Sequence, residues 1–79
     1  TVQQRIARYL YMTAREEGTQ TAEGILVPRT ITQQDLAALV GSVREVVSRT
    51  LRVMEEDGIV EIRRREILVR NLAALRALL

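Results

Sequence analysis

At 79 residues the chain has room for one small domain, and a chain of that size buries only about 60% of its unfolded surface. There is no Cys, so disulfides and thiolate chemistry are excluded, and no His, which removes the commonest general base and the commonest metal ligand. The formal net charge is only +2, and with neither Phe nor Trp the core must be aliphatic.

Val2, Ile6, Tyr9, Leu10 and Thr13 or Ala14 recur at helical spacing, which predicts a helix over residues 2–17 ended by Gly18. Tyr9 and Tyr11 are expected to pack or half-pack in the core. Residues 18–24 are small and polar and read as a loop. Ile25, Leu26 and Val27 form a short strand stopped by Pro28. Thr32 then caps a helix, with Asp35 completing a capping-box variant and Ile31 and Leu36 placed for a hydrophobic staple. Two apolar runs follow, broken at one glycine. Leu36, Ala37 and Val40 stripe the first; Val47, Leu51 and Met54 stripe the second. Gly41 is expected at positive φ, which glycine adopts cheaply. Ala37 sits where the two helices cross closely. The second helix runs from about 43 to 57 and stops at Gly58.

Ile59–Ile62 and Glu66–Val69 read as the strands of a hairpin around Arg63, Arg64 and Arg65, with Val60, Ile62, Ile67 and Val69 facing the core. Asn71 caps a short last helix with Leu72, Leu75 and Leu79 inward. The order is helix, strand, helix, helix, hairpin, helix. That is a mainly α fold with a small β-hairpin (α+β), a winged helix-turn-helix over 1–79, with the helix-turn-helix at about 33–57 and the wing at about 59–69.

All 12 basic residues are Arg. Genomic codon bias accounts for that, and Arg is also the better residue for forked contacts to guanine and phosphate. Arg44, Arg49 and Arg52 form one basic stretch and Arg63, Arg64 and Arg65 another. The acids gather at Glu16, Glu17 and Glu23 and at Glu55, Glu56 and Asp57. This separation predicts one basic face suited to an acidic partner. Arg44, Glu45, Ser48 and Arg49 stand near the start of the second helix, an inventory that can reach base edges in a major groove. A plainer account stays open: Glu45 and Arg49 are spaced for an i,i+4 ion pair, and Ser42 and Glu45 spell a capping box. Gln33 and Gln34 can bond phosphates from a first helical turn or simply be solvated. Arg63, Arg64 and Arg65 suit phosphates, or merely keep a sheet edge soluble. Glu55, Glu56 and Asp57 are consecutive on a helix and cannot converge on a metal ion. Little is left for catalysis, and an enzyme is not expected.

The run Thr32-Gln-Gln-Asp-Leu-Ala37, then Gly41, then Arg44-Glu45-Val-Val-Ser48-Arg49, then Glu56-Asp-Gly58-Ile, resembles the DNA-binding domain of the Crp/Fnr transcription regulators. Val2-Gln-Gln-Arg5-Ile-Ala-Arg-Tyr-Leu10 is similar to that domain's first helix. The resemblance implies a bacterial, cytoplasmic regulator binding double-stranded DNA at an inverted repeat. It implies an effector-sensing β-roll and a long dimerisation helix that these residues do not contain, hence a homodimer in the full-length protein and an effector not named by this sequence. No cofactor is expected in this domain, no membrane contact is expected, and RNA polymerase is a possible partner. A chain opening at Thr1 is read as a fragment. Alone it is expected to be a monomer and a poor DNA binder.

By the same resemblance Arg44 reads a guanine, Glu45 accepts from a cytosine amino group, and Arg49 is the second arginine on that face. Ser48 matches the Glu-x-x-Ser-Arg pattern of the Fnr branch, while Arg44 favours a GTGA-like half-site. Gln33, Gln34, Ser42, Ser48, Arg63 and Arg65 would hold the DNA backbone or support that face. Val43 and Val46 depart from the Ser or Thr that contact phosphate in family members, so the helix cap is expected to move back to Ser42. A tip of Arg63-Arg64-Arg65 has no Gly, so a type I′ turn is not expected and the wing should be wider or more mobile than usual. The alternative function is a winged helix that docks an acidic protein on its Arg face.

Overall fold

In the computed structural model, which describes residues 1–79, Thr1 opens the fold by capping α1 (Val2–Glu17). Its hydroxyl accepts from Gln4 N at 3.1 Å, and its amino group donates to Gln4 Oε1 at 2.8 Å. Ile6, Ala7, Leu10 and Ala14 of α1 are buried as one stripe, and the opposite side carries Arg5, Arg8 and Glu16 with Met12 exposed among them. Thr13 is also buried, with its hydroxyl donating to Tyr9 O at 2.8 Å, and Tyr9 and Tyr11 half-pack against the core.

The segment 18–24 is not a loop. Thr19–Thr21 is strand β1, paired antiparallel with β2 (Gly24–Pro28) in the register Thr19↔Leu26 and Thr21↔Gly24. Three polar residues carry no apolar alternation, so nothing in their side chains announced a strand; β1 forms because the backbone edge of β2 needs a partner. Gly24 is required by close approach: at φ 145° a Cβ there would lie 2.2 Å from Val69 O. Pro28 ends β2 from within the strand, paired with Glu66.

After α2 (Gln33–Leu39) and α3 (Arg44–Glu56), β3 (Val60–Ile62) and β4 (Glu66–Val69) form the second hairpin. It is not a free-standing wing. The four strands make one antiparallel sheet in the order β1-β2-β4-β3, with Ile25↔Val69 and Val27↔Ile67 joining the two hairpins. The inner face carries Val27, Val60, Ile67 and Val69, all buried, with Ile62 half-buried against them. Leu68 is buried too, though it points the other way. On that outer face it lies between Leu26 and Glu61, whose ion pairs with Arg63 and Arg70 run along the same side.

The chain closes with α4 (Leu72–Ala77), where Asn71 Oδ1 accepts from Ala74 N at 3.0 Å. Leu75 is fully buried, but Leu72 and Leu79 are 37% and 46% exposed. The helix is too short to carry an inward stripe to residue 79; Ala74 and Leu78 flank Leu75 instead. One cluster of 16 buried residues joins α1, α2, α3, α4 and the inner sheet face. No helix is long and apolar enough to cross a membrane.

Candidate nucleic-acid interface

The helix-turn-helix is fixed by its caps. Thr32 and Asp35 form the capping box at the start of α2: Asp35 N donates to Thr32 Oγ1 at 3.0 Å, and Thr32 N to Asp35 Oδ2 at 3.4 Å. At its end Gly41 has φ 69°, its N–H donates to Ala38 O, and Ser42 N–H donates to Ala37 O at 2.8 Å. Those two bonds are a Schellman motif, which requires the left-handed residue that glycine supplies. Arg5 reaches from α1 to donate through Nη1 to Val40 O at 3.0 Å, placing a positive charge at the helix C-terminus. Ala37 is 1% exposed between α2 and α3, as close crossing demands.

The cap of α3 does not move back to Ser42. Val43 is the N-cap, extended at φ −112° and ψ 156°, and makes no side-chain cap bond. Ser42 is held in the C-terminal turn of α2, so helical geometry begins one residue later than a Ser42–Glu45 capping box needs. Val47, Leu51 and Met54 bury one side of α3. The other side presents Arg44, Glu45, Ser48, Arg49 and Arg52 along one shallow groove without an apolar residue. Arg44, Glu45, Arg49 and Arg52 are exposed. Glu45 and Arg49 do not pair: every ion pair in the structure involves Arg63 or Arg70. Ser48 is half-buried and its hydroxyl donates to Gln33 Oε1 at 2.6 Å, tying the first turn of α2 to the middle of α3. That leaves both amide hydrogens of Gln33 free to donate outward. Gln34, in the same turn, is exposed.

The three wing arginines separate. Arg63 follows the outward alternation of β3, and its guanidinium meets Glu61 at 2.6 Å, Glu66 at 3.7 Å and Glu23 of the first hairpin at 4.0 Å. The acids and bases therefore do not segregate completely, because Glu23 folds back onto the wing. The hydrogen bond from Arg63, with Arg70 adding to it, holds the Glu61 carboxyl below the usual glutamate range, and Glu61 in turn raises Arg63. Arg64 and Arg65 are exposed and unpaired. Arg63–Arg65 alone link the strands, closed by Arg63 N to Glu66 O at 2.9 Å, and no residue other than glycine has positive φ, so the turn is not type I′.

A second cleft lies between the β2–α2 connection, the start of α3 and the wing tip, lined by Arg29, Arg44 and Arg64 beside Gln33, Gln34 and one acid, Asp35. Arg29 belongs to no motif in the sequence. Its only signal was position, directly after the strand-ending Pro28 and just before the capping box.

The comparisons with known proteins agree with this geometry. Residues 4–78 match the model of the Crp-like helix-turn-helix domain. The chain is 38% identical over 80 residues to the nitrogen fixation regulation protein FixK of Azorhizobium caulinodans, covering 99% of this chain and 32% of that protein. It superposes on the CO-dependent transcription factor CooA of Carboxydothermus hydrogenoformans with a TM-score of 0.89 at 26% identity, covering 96% of this chain and 35% of that one. A CRP-family transcriptional regulator of Thermus thermophilus superposes with a TM-score of 0.81 at 29% identity, covering 99% of this chain and 40% of that one. The chain thus spans about a third of the length of these relatives. With its α+β winged helix-turn-helix and matches from end to end, the chain belongs to the Crp-like helix-turn-helix family, the DNA-binding domain of the Crp/Fnr transcription regulators.

Proposed function

We propose that the chain binds double-stranded DNA sequence-specifically, with α3 in the major groove, as the output domain of a bacterial Crp/Fnr-like regulator. The observation that carries this is the outward face of α3. Four charged side chains and Ser48 share one groove, no ion pair consumes any of them, and Val47, Leu51 and Met54 lock the helix from behind. Arg44 and Arg49 offer planar forks to the O6 and N7 of guanine, and Glu45 accepts from the N4 amino group of cytosine.

Gln33, Gln34 and Arg65 hold the DNA backbone, together with Arg64. Ser48 supports the face by holding Gln33, and Ser42 supports it by fixing the turn. The half-site is GTGA-like and belongs to an inverted repeat read by a homodimer of the full-length, cytoplasmic protein. RNA polymerase is a further partner of that complex. The effector acts through the sensor half and sets the spacing of two such domains.

Selection from a random duplex pool tests this directly. A preferred half-site with a G·C pair should emerge, and Arg44→Ala should cost about 1–3 kcal/mol on it and flatten preference at that pair. Equal weakening on every sequence would make Arg44 a phosphate ligand and overturn its role as a reader. Salt-dependent retention without any preference would overturn the specific reading as a whole.

A further inference from the structure

The cleft between the wing tip and the helix-turn-helix has a feature that neither α3 nor the wing explains alone. Arg29 crosses it. Its backbone N–H donates to Arg65 O at 3.0 Å, continuing the β2–β4 ladder by one bond, and its side-chain Nη1 donates to Arg63 O at 2.7 Å. Both ends of the wing turn therefore hang on one residue of the β2–α2 connection. The side chain is half-buried and pairs with no carboxylate. A guanidinium has five donors, and one is committed to Arg63 O, so four remain to satisfy. Arg64, also unpaired, and Arg44 line the same cleft, and its one acid, Asp35, accepts from Thr32 N at the start of α2.

We propose that this cleft is a site for one phosphodiester of the bound duplex, held between Arg29 and Arg64, and that Arg29 is also the strut that sets the wing tip at the distance such a phosphate needs. The proposal rests on the reading of the domain as a duplex binder. The chemistry is that of guanidinium recognition: a planar fork meets two anionic oxygens, and a fork already fixed by one hydrogen bond loses less freedom on binding. Arg63 takes no part, because its charge is answered by Glu23, Glu61 and Glu66 on the outer sheet face. The wing thus contributes Arg64 and Arg65 to the interface rather than all three arginines.

Fluorescence anisotropy of this 79-residue chain on the selected duplex and on a scrambled one tests the assignment. Arg29→Ala should weaken both duplexes alike and lower the log–log salt slope by about 0.9. Its deficit should therefore shrink roughly 3.5-fold between about 50 and about 200 mM salt. Arg76→Ala, on α4, should change neither. Thermal melts establish that each variant is folded, and Arg29→Lys provides a variant that keeps the charge but loses the fork.

The decisive measurement replaces single phosphates with neutral methylphosphonates. At one backbone position the losses from the Arg29 variant, from Arg64→Ala and from the methylphosphonate should overlap rather than add. Additive losses at every position, or an unchanged salt slope, overturn the site. Competition by millimolar inorganic phosphate at constant ionic strength would make it a free-anion site and overturn its assignment to the duplex. If Arg44→Ala flattens sequence preference while the Arg29 losses stay additive, the base-reading face survives and only the cleft assignment falls. If no duplex is bound even when two copies of the chain are joined through a dimeric coiled coil, both fall.

Discussion

The start of α3 is built with a residue that cannot cap it, and this gives a prediction with a definite size. Val43 is the N-cap, 59% exposed, with no side-chain bond to the first turn. Exchanging a capping Ser for an apolar residue typically costs about 1 kcal/mol, within a range of roughly 0.5–2. Val43→Ser runs that exchange in reverse. Little burial is lost, because the side chain is in solvent, and the extended backbone suits Ser as well as Val. One local fact keeps the gain from the upper end: Val46 N already donates to Val43 O at 3.1 Å, so a new hydroxyl shares that donor or takes the one from Glu45. The expected stabilisation is about 1 kcal/mol, which for a domain of this size raises Tm by roughly 4–8 °C. Thermal unfolding followed by circular dichroism measures it, with Val43→Ala as the control that removes the side chain without adding a cap. Equal Tm for the Ser and Ala variants would refute the placement of the cap. The resemblance implies a phosphate-contacting hydroxyl at this position, so Val43→Ser should also raise affinity for any duplex.

Glu45→Gln should raise generic DNA affinity slightly, by removing a carboxylate from a face that meets phosphates, and should reduce discrimination at the cytosine position; intact discrimination on a panel of single-base variants would reduce Glu45 to a surface residue of α3. Arg5→Met keeps the aliphatic stem but loses the bond to Val40 O, and should cost about 1 kcal/mol in chemical unfolding, below the roughly 1.5–3 kcal/mol of a charged hydrogen bond because Arg5 is exposed. The Glu61 carboxyl is held low in the folded state by Arg63, so its stabilising contribution is present above the ordinary glutamate range and is lost as pH falls through the lower folded value. Tm should therefore drop in acid, and Glu61→Gln should flatten that part of the profile; an identical acid limb in the variant would assign the drop to other carboxylates.

The helices were legible because their signals are local. The spacing of Val47, Leu51 and Met54 located the buried side of α3, and Gly41 and Gly58 marked the turns that the structure places at positive φ. The capping box of Thr32 and Asp35 was readable for the same reason. Long-range backbone pairing was not. Nothing in Thr19, Gln20 or Thr21 says that they edge a sheet, and nothing in the second hairpin says that β2 continues it, because those bonds use main-chain groups that every sequence possesses. Side-chain partners distant in sequence were hidden likewise. Arg63, like Arg65, reads in the sequence as a phosphate contact of the tip, whereas in the fold Glu23, brought from the first hairpin, joins Glu61 and Glu66 around it. The sequence places Ser48 on the α3 face but gives no sign that its hydroxyl is held by Gln33.

How a chain of net charge +2 can suit a polyanion follows from where its acids are placed. Glu23, Glu61 and Glu66 surround Arg63, Asp35 accepts from the N-cap of α2, and Glu55 accepts from Ile62 N at 2.8 Å. Each of these carboxylates has a partner within the fold. On the outward groove of α3, Glu45 is the one acid among three arginines and a serine. Affinity alone would not keep it there, because a carboxylate near phosphates is repelled. Specificity would. Against the N4 amino group of cytosine Glu45 has a donor; against a base edge that offers an acceptor it is desolvated beside like charge, and the wrong site is penalised. In the proposed reading Arg44 and Arg49 would provide attraction at guanines, and Glu45 would supply the repulsion that separates one sequence from its near neighbours.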